Sequence, residues 1–145
     1  MADMAVVFAI LAHLKIAHLK PTAKQVACVA EAVYHEARGE PVGAQIAVAY
    51  TVINRTQHPD FASTPCEVIE EPGQFQWQEK RRGQKDVEAW HDSVEVAALV
   101  STRAIEPTVE GRPVFFAEKR SHPRWSKSMK RLAQIGSLTF WSDRK

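Results

Sequence analysis

The sequence predicts a mainly helical α+β fold with a small β portion, in one domain over residues 1–145. Three observations lead to this prediction. Apolar residues recur at helical spacing over several long segments, and a few short segments alternate polar and aromatic residues as half-buried strands do. The composition, 45% hydrophobic and 25% charged, is that of an ordinary globular protein. Disordered, collagen-like and fibrous proteins are therefore excluded.

The first helix is predicted from apolar residues at helical spacing. These are Val7, Ile10, Leu11 and Leu14. The preceding residues 1–4 include an acid and no Lys or Arg, and no small-x-small cleavage site stands out afterwards. This pattern favours a helix of the fold over a signal peptide. We therefore expect the protein to be made in the cytoplasm without a classical export signal.

A second helix is expected over about residues 24–38. Thr22 can cap its N-terminus, and Gln25 would complete a capping box. Gly39 is well placed to end the helix, and Pro41 blocks its continuation. The segment thus carries both a start and a stop signal.

Three more helices are expected downstream. Residues 42–56 are apolar almost all round, which is typical of the buried centre of a domain, although a buried strand is the alternative. Ser63 or Thr64 could cap a short helix over residues 65–70. Residues 86–105 predict the last helix from an apolar face at helical spacing.

The β portion is predicted from three short segments. Residues 74–78 alternate polar and aromatic side chains, residues 113–116 form an extended segment, and residues 135–141 form a turn or the end of a strand. Between the last two, residues 123–131 predict a short basic helix.

Charge and hydropathy bear on possible partners. The chain has 19 Lys and Arg against 17 Asp and Glu, a net charge of +2. This mild excess does not indicate a nucleic-acid partner. No apolar run approaches the roughly 20 residues that a bilayer requires, so we expect no stable membrane insertion.

Metal and cysteine chemistry find little support in the sequence. His35 and Glu36 begin like a zinc-protease motif, but residue 39 is glycine where the second histidine would stand. Cys28 and Cys66 form no CxxC pair, which argues against a structural zinc site. A disulfide and two buried thiols both remain open, with thiols slightly favoured.

Ionisable groups are concentrated at the end of the second helix, over residues 34–41. Glu36 lies about ten residues into an apolar-faced helix, and partial burial of a carboxyl raises its pKa because the charged form is desolvated. Such a group can give its proton to a leaving oxygen, which is the task of a glycosidase acid. The alternative is a solvated helix end, in which Glu36 and Glu40 lie at i and i+4.

Amide and aromatic residues downstream could line a carbohydrate groove. Sugars stack on aromatic rings while amides bind their hydroxyls, although core packing is the alternative for most of these aromatics. The candidates are Gln74, Phe75, Gln76, Trp77, Phe115, Phe116, Trp125 and Trp141.

Taken together, these motifs resemble the SleB-type cell wall hydrolases, named for the spore-cortex-lytic enzymes. The specific part is E-A-R-G-E-P at residues 36–41, continued as G-x-Q-x-A-V-A to residue 49. V-x-N-R at 52–55, Q-F-x-W at 74–77 and I-G-x-x-x-F-W at 135–141 follow in order. The resemblance covers about residues 24–141. It departs from the family at Leu138, where a histidine is usual, and in the basic residues 118–124.

The resemblance implies a lysozyme-like fold and cleavage between N-acetylmuramic acid and N-acetylglucosamine in peptidoglycan. It implies that Glu36 is the catalytic acid. Many members are lytic transglycosylases, in which one carboxyl suffices because the sugar's own C6 hydroxyl attacks the anomeric carbon. A hydrolytic muramidase would need a second carboxylate, for which Glu31 and Glu40 are candidates. A non-catalytic wall-binding protein and a cysteine amidase are the rival interpretations.

The resemblance also suggests further site residues and a setting. The candidate substrate-binding residues are Tyr34, Glu40, Gln45, Asn54, Gln74, Phe75 and Trp77. No metal or organic cofactor is implied, and the expected partner is bacterial peptidoglycan, bound by a monomer at the cell wall, or in the host periplasm if the protein is a phage endolysin. Some members carry both cysteines, so a Cys28–Cys66 disulfide and free thiols both stay open.

Overall fold

Five α-helices come before the strands in the part of the chain that the computed structural model describes, residues 3–14, 22–72, 75 and 85–144. A 3-10 helix follows the first of three strands. The elements are α1 (Met4–His13), α2 (Ala23–Ala37), α3 (Val42–Thr56), α4 (Pro65–Glu70), α5 (Val87–Ser101), β1 (Phe115–Glu118), the 3-10 helix (Arg124–Ser128), β2 (Met129–Ile135) and β3 (Leu138–Asp143). This is the mainly helical α+β fold that the sequence predicts.

The helix starts follow the capping signals of the sequence. Thr22 accepts a hydrogen bond from the amide of Gln25 at 3.3 Å, and Thr64 accepts one from Glu67 at 3.3 Å. The capping box at Thr22 is not completed as predicted. The Gln25 side chain instead accepts a hydrogen bond from the amide of Cys66 at 3.0 Å, so it connects the start of α2 to the start of α4.

The buried centre of the helical part is shared by α2 and α3. Helix α2 packs against α1, α3, α4 and α5, and its residues from Val26 to Tyr34 are all buried. Helix α3 is largely buried as well, as its apolar sequence predicts, and the strand alternative for this segment is wrong. Of these two helices, α3 also contacts the sheet, through β1.

Helix α5 ends earlier than the sequence predicts. The expected range was 86–105, but Asp86 is the N-cap and the helix stops at Ser101. Arg103 has φ +60°, a left-handed conformation that a continuing α-helix does not contain. The chain therefore leaves the helix before the proline at position 107.

The sheet is antiparallel with the order β1-β3-β2. Residues 113–116 lead into β1 as expected, and residues 135–141 form the β2–β3 turn and most of β3. The predicted helix over 123–131 is wrong in its second half, because β2 begins at Met129 and pairs with β3. Pairing with a neighbouring strand, which local sequence does not reveal, determines the backbone there. The predicted strand over 74–78 lies outside the described residues except for Phe75.

The apolar side chains of helices and sheet join in one core, which includes Phe140 of β3 and Trp90 of α5. None of the helices in the described ranges has the length and apolar character needed to cross a membrane.

Cys28 of α2 and Cys66 of α4 form a disulfide. Both cysteines are buried in the core. The preference for free thiols from sequence alone is therefore wrong. With both sulfurs bonded to each other, neither can serve as the thiolate that a cysteine amidase requires.

We predict that the double variant Cys28→Ser/Cys66→Ser loses about 3 kcal/mol of stability, because the disulfide restricts the unfolded chain. For a chain of this size the melting temperature should fall by roughly 10 °C, measured by calorimetry. Reductant should lower the melting temperature of the wild type and leave the double variant unchanged. A wild type insensitive to reductant would contradict the bond.

Candidate active site

A buried arginine lies where the helices meet the sheet. Arg55, near the end of α3, is 4% exposed. Its Nε donates a hydrogen bond to the carbonyl of Val114 at 2.7 Å, immediately before β1. The guanidinium carbon lies 4.8 Å from the ring centre of Phe61 and 5.4 Å from those of Phe75 and Phe115. Aromatic faces at this range attract a cation.

Two carboxylates act on the Arg55 charge. Burial lowers the pKa of the Arg55 guanidinium to about 10, while the charges of Glu71 and Glu36 raise it. Arg55 is therefore still a cation at neutral pH. Glu36 lies in the last turn of α2 and Glu71 directly follows α4, so acids from two helix ends act on this one charge.

Glu36 lies in the last turn of α2 and is half-buried. The chain reverses directly after it in a tight turn, where Arg38 has φ −59° and ψ 129°, Gly39 has φ +84°, and the Glu40 amide donates to the Ala37 carbonyl at 3.0 Å. These are the features of a type II turn, whose third position requires glycine. The turn ends α2 one residue beyond Glu36 and starts α3.

Half-exposed aromatic rings extend from Arg55 along one face of the sheet. The ring centres are 5.8 Å apart for Phe61 and Phe115, 4.9 Å for Phe115 and Trp125, and 6.0 Å for Trp125 and Trp141. We call these four residues the aromatic wall. Phe116, the next residue of β1, points to the other face as strand geometry requires and packs on Phe75 and Phe140.

Glu40 connects the start of α3 to the β2–β3 turn. Its carboxylate accepts hydrogen bonds from the Ser137 amide at 2.8 Å and the Ser137 hydroxyl at 2.5 Å. These hydrogen bonds lower the pKa of Glu40, and the charge of Lys119 adds a smaller effect in the same direction against burial. A Cβ on Gly136 would lie 2.5 Å from the carboxylate and 2.7 Å from the Pro41 ring, so glycine is required at this turn.

The other predicted substrate-binding residues have protein partners. The Tyr34 hydroxyl accepts hydrogen bonds from the Arg38 guanidinium and from the Asp86 amide, and its ring is 2% exposed. Gln45 donates to the Glu40 carbonyl, and Asn54 donates to the Pro113 carbonyl.

The remaining candidates for substrate binding are the amide and aromatic side chains of residues 74–77. Phe75 is buried against Arg55, whereas Gln74, Gln76 and Trp77 lie outside the described residues. The substrate-binding roles stay predictions. Glu31, a candidate second carboxylate, is buried at 5% exposure on α2.

Three important residues were not among the predicted site residues: Arg55, Glu71 and Phe61. A signal existed for Arg55, because arginine is almost never fully buried without partners and this one follows a long apolar segment. No local signal distinguishes Glu71 from a surface residue. Phe61 is apolar and matches a phenylalanine of the family pattern, but only the tertiary fold brings it to Arg55.

Comparison with known proteins gives a family match. The model of the Cell Wall Hydrolase family matches residues 39–141. The match begins at Gly39, so it does not include Glu36. The spore cortex-lytic enzyme of Bacillus subtilis is 47% identical over 47 residues, which make up 32% of this chain and 15% of that protein. Its counterpart from Halalkalibacterium halodurans is 49% identical over 47 residues, 32% of this chain and 14% of that protein. The chain thus matches a small part of either relative's length.

Two solved structures share the fold. One is the catalytic domain of the germination-specific lytic transglycosylase SleB from Bacillus anthracis, with a TM-score of 0.69 and 23% identity over 86% of this chain and 98% of that one. The other is the catalytic domain of the Bacillus cereus SleB protein, with the same score and identity over 86% of this chain and 94% of that one. At this identity the similarity establishes that the chain has the fold of these SleB catalytic domains.

We predict that Arg55→Met destabilises the protein by about 2 kcal/mol, because the buried Val114 carbonyl loses its hydrogen-bond donor and the half-buried Glu36 and Glu71 lose a nearby positive charge. Urea unfolding measures the effect. Arg124→Met, on the exposed 3-10 helix, is the control and should change stability by less than about 0.5 kcal/mol. Equal effects of the two substitutions would contradict the role of Arg55.

Glu40 should make stability depend on pH. Because its native pKa is lowered from 4.5, the carboxylate stabilises the fold above that value, and the contribution is lost as pH falls through the lowered native pKa. Glu40→Gln should therefore melt below the wild type at pH 7, with a difference that shrinks in acid. Glu106→Gln, which removes an exposed carboxylate, is the control. A difference independent of pH would contradict the prediction.

Proposed function

Because the chain belongs to the cell wall hydrolase family, we propose that it cleaves peptidoglycan glycan strands between N-acetylmuramic acid and N-acetylglucosamine as a lytic transglycosylase. The observations that carry this proposal are the half-buried carboxyl of Glu36, whose charge acts on the buried Arg55 cation, and the half-exposed aromatic rings that extend from Arg55. Its place of action is the bacterial cell wall.

Glu36 serves as acid and then as base in the proposed reaction. Its protonated carboxyl gives a proton to the glycosidic oxygen as the bond from that oxygen to the anomeric carbon breaks. The C6 hydroxyl of the same muramic residue then attacks the anomeric carbon and returns a proton to the Glu36 carboxylate. The products are a 1,6-anhydro sugar and a new chain end, and no water is consumed.

Arg55 is a positioning residue in this proposal. At 4% exposure its guanidinium is closed off from a polysaccharide, so it acts on the reaction through the carboxyl that it attracts. The aromatic wall offers the apolar faces on which sugar rings stack. Phe115 links the two functions, because its ring lies both over Arg55 and against Trp125.

The relatives support the reaction class. One solved neighbour is described as a lytic transglycosylase, and both curated relatives are described as spore cortex-lytic enzymes. We extend peptidoglycan cleavage to this chain, with Glu36 as the acid that the family motif implies.

Hydrolysis is the second candidate, and Glu71 favours it. A muramidase needs a second carboxylate near the first. Glu71 directly follows α4 and acts on the same arginine as Glu36, so two carboxylates approach one buried cation. In a hydrolase Glu71 would stabilise the sugar cation or activate water.

A digest of purified peptidoglycan, analysed by mass spectrometry, tests the proposal. Wild-type protein should release muropeptides lighter by one water than ordinary reducing muropeptides. Glu36→Gln should lower the rate about a hundredfold or more, because it removes the general acid. Glu71→Gln should still yield anhydro products.

The controls separate the alternatives. Glu110→Gln removes an exposed carboxylate and should leave the rate unchanged. If the products are ordinary reducing muropeptides, and if their release requires both Glu36 and Glu71, the reaction is hydrolysis and not transglycosylation. If Glu36→Gln releases muropeptides at the wild-type rate, the assignment of Glu36 as the acid is refuted. If the folded wild type releases no muropeptides, the protein binds the wall without cleaving it.

A further inference from the structure

A second concave site opens beside the aromatic wall. It has a volume of about 500 Å³ and lies between the end of α3, the loop before β1, and strands β2 and β3. Three cationic side chains line it, those of Arg112, Lys130 and Arg144. Its acidic member is Asp143. We call this space the basic cavity.

The basic cavity has a net positive charge, because its lining contains three cationic side chains and one carboxylate. Within the described ranges, Lys130 and Arg144 have no carboxylate partner, and Arg112 donates one hydrogen bond to the Gln57 side chain at 3.2 Å. Asp143 keeps its negative charge, and its carboxylate is hydrogen-bonded to Nε2 of His58, which holds it at one side of the cavity. The His58 Nδ1 accepts the amide of Asp60 at 3.1 Å, which leaves Nε2 as the donor to Asp143 in the neutral ring.

The backbone around Arg112 has an unusual conformation. Gly111 and Arg112 are both left-handed, with φ +95° and +57°. A Cβ on Gly111 would lie 2.8 Å from the Leu132 side chain, so the loop closely approaches β2. There the pairing of β2 with β3 shifts between Arg131 and Ala133, a bulge that leaves Leu132 as the extra residue. A left-handed arginine is strained and is found where a fold holds a side chain in place.

The basic cavity is close to the proposed reaction centre. The His58 ring lies 5.4 Å from Phe61, whose ring faces the Arg55 guanidinium at 4.8 Å. One aromatic ring therefore separates the edge of the cavity from the arginine that attracts Glu36. A ligand that spans the basic cavity and the proposed reaction centre would therefore have an anionic group a short distance from the glycosidic bond that is cleaved.

Peptidoglycan has such a group on the same strand. Each muramic residue carries a short peptide through its lactyl ether, and these stems bear free carboxylates. Arginine binds carboxylates through two parallel hydrogen bonds, and lysine adds a compact charge. We propose that the basic cavity binds a carboxylate of the peptide stem, so that the protein prefers stem-bearing strands. This inference rests on the proposed function.

The test compares two triple variants with the same change in net charge. The cavity variant is Arg112→Asn, Lys130→Gln and Arg144→Gln, with asparagine chosen because it tolerates the left-handed conformation. The control variant is Arg120→Gln, Arg124→Gln and Lys127→Gln, which are exposed residues outside the cavity lining. The ratio of kcat/KM on intact strands to that on strands stripped of stems is the readout. It should fall about tenfold in the cavity variant alone, which is the scale of one charge-assisted hydrogen bond.

Binding provides a readout that does not depend on cleavage. By NMR titration, N-acetyl-L-alanyl-D-glutamate should bind the wild type and the control variant, and bind the cavity variant about tenfold more weakly. Its diamide should not bind. Glycerol phosphate serves as the probe for a phosphate polymer.

Each outcome decides the proposal. The proposal is overturned if the kcat/KM ratio falls equally in both triple variants. It is also overturned if glycerol phosphate saturates the wild type and the dipeptide does not bind. If the wild type cleaves neither kind of strand, the proposed function fails. The titration then decides alone: dipeptide binding lost only in the cavity variant supports the site, and absence of binding overturns it.

Discussion

The structure depends on how the protein compensates one buried positive charge, that of the Arg55 guanidinium. A buried ion costs several kcal/mol unless other groups replace its hydration. For Arg55 these groups come from distant parts of the chain: Glu36 ends α2, Glu71 follows α4, and the Val114 carbonyl precedes β1. The cation therefore joins the helical part to the sheet, and loss of one of these groups would leave the buried charge less well compensated.

The carboxylates that compensate the Arg55 charge include Glu36, the residue proposed as the catalytic acid. The Glu36 carboxylate, near the end of its helix, acts electrostatically on the buried Arg55 cation, and Glu71 acts on the same cation. Glu40, which follows the turn after Glu36, is instead bound to Ser137 and holds the start of α3 against the sheet. The two acids of the E-A-R-G-E motif thus have separate partners.

Local signals in the sequence were sufficient to predict most of the helices, but they predicted few of the contacts in the candidate active site. Thr22, Thr64 and Gly39 determine helix ends through contacts within a few residues, so their roles can be predicted from neighbours alone. Arg55 and Glu71 acquire their importance from partners far away in sequence, and so does β2, whose pairing overrides the predicted helix. Polar residues of the motif such as Gln45 and Asn54 have backbone carbonyls as partners, a structural use that sequence does not distinguish from substrate binding.

The strand order has a consequence for how the chain folds as it is synthesised. Strand β3 lies between β1 and β2, although it follows both in sequence. When β1 leaves the ribosome its partner has not been made, and the partners of Glu40 and His58, Ser137 and Asp143, are also still absent. Packing among the five helices can begin first, because it needs only residues up to 101, whereas the hydrogen bonds of α3 to residues 113 and 114 form later. The sheet can pair only after residues 138–143 have been made.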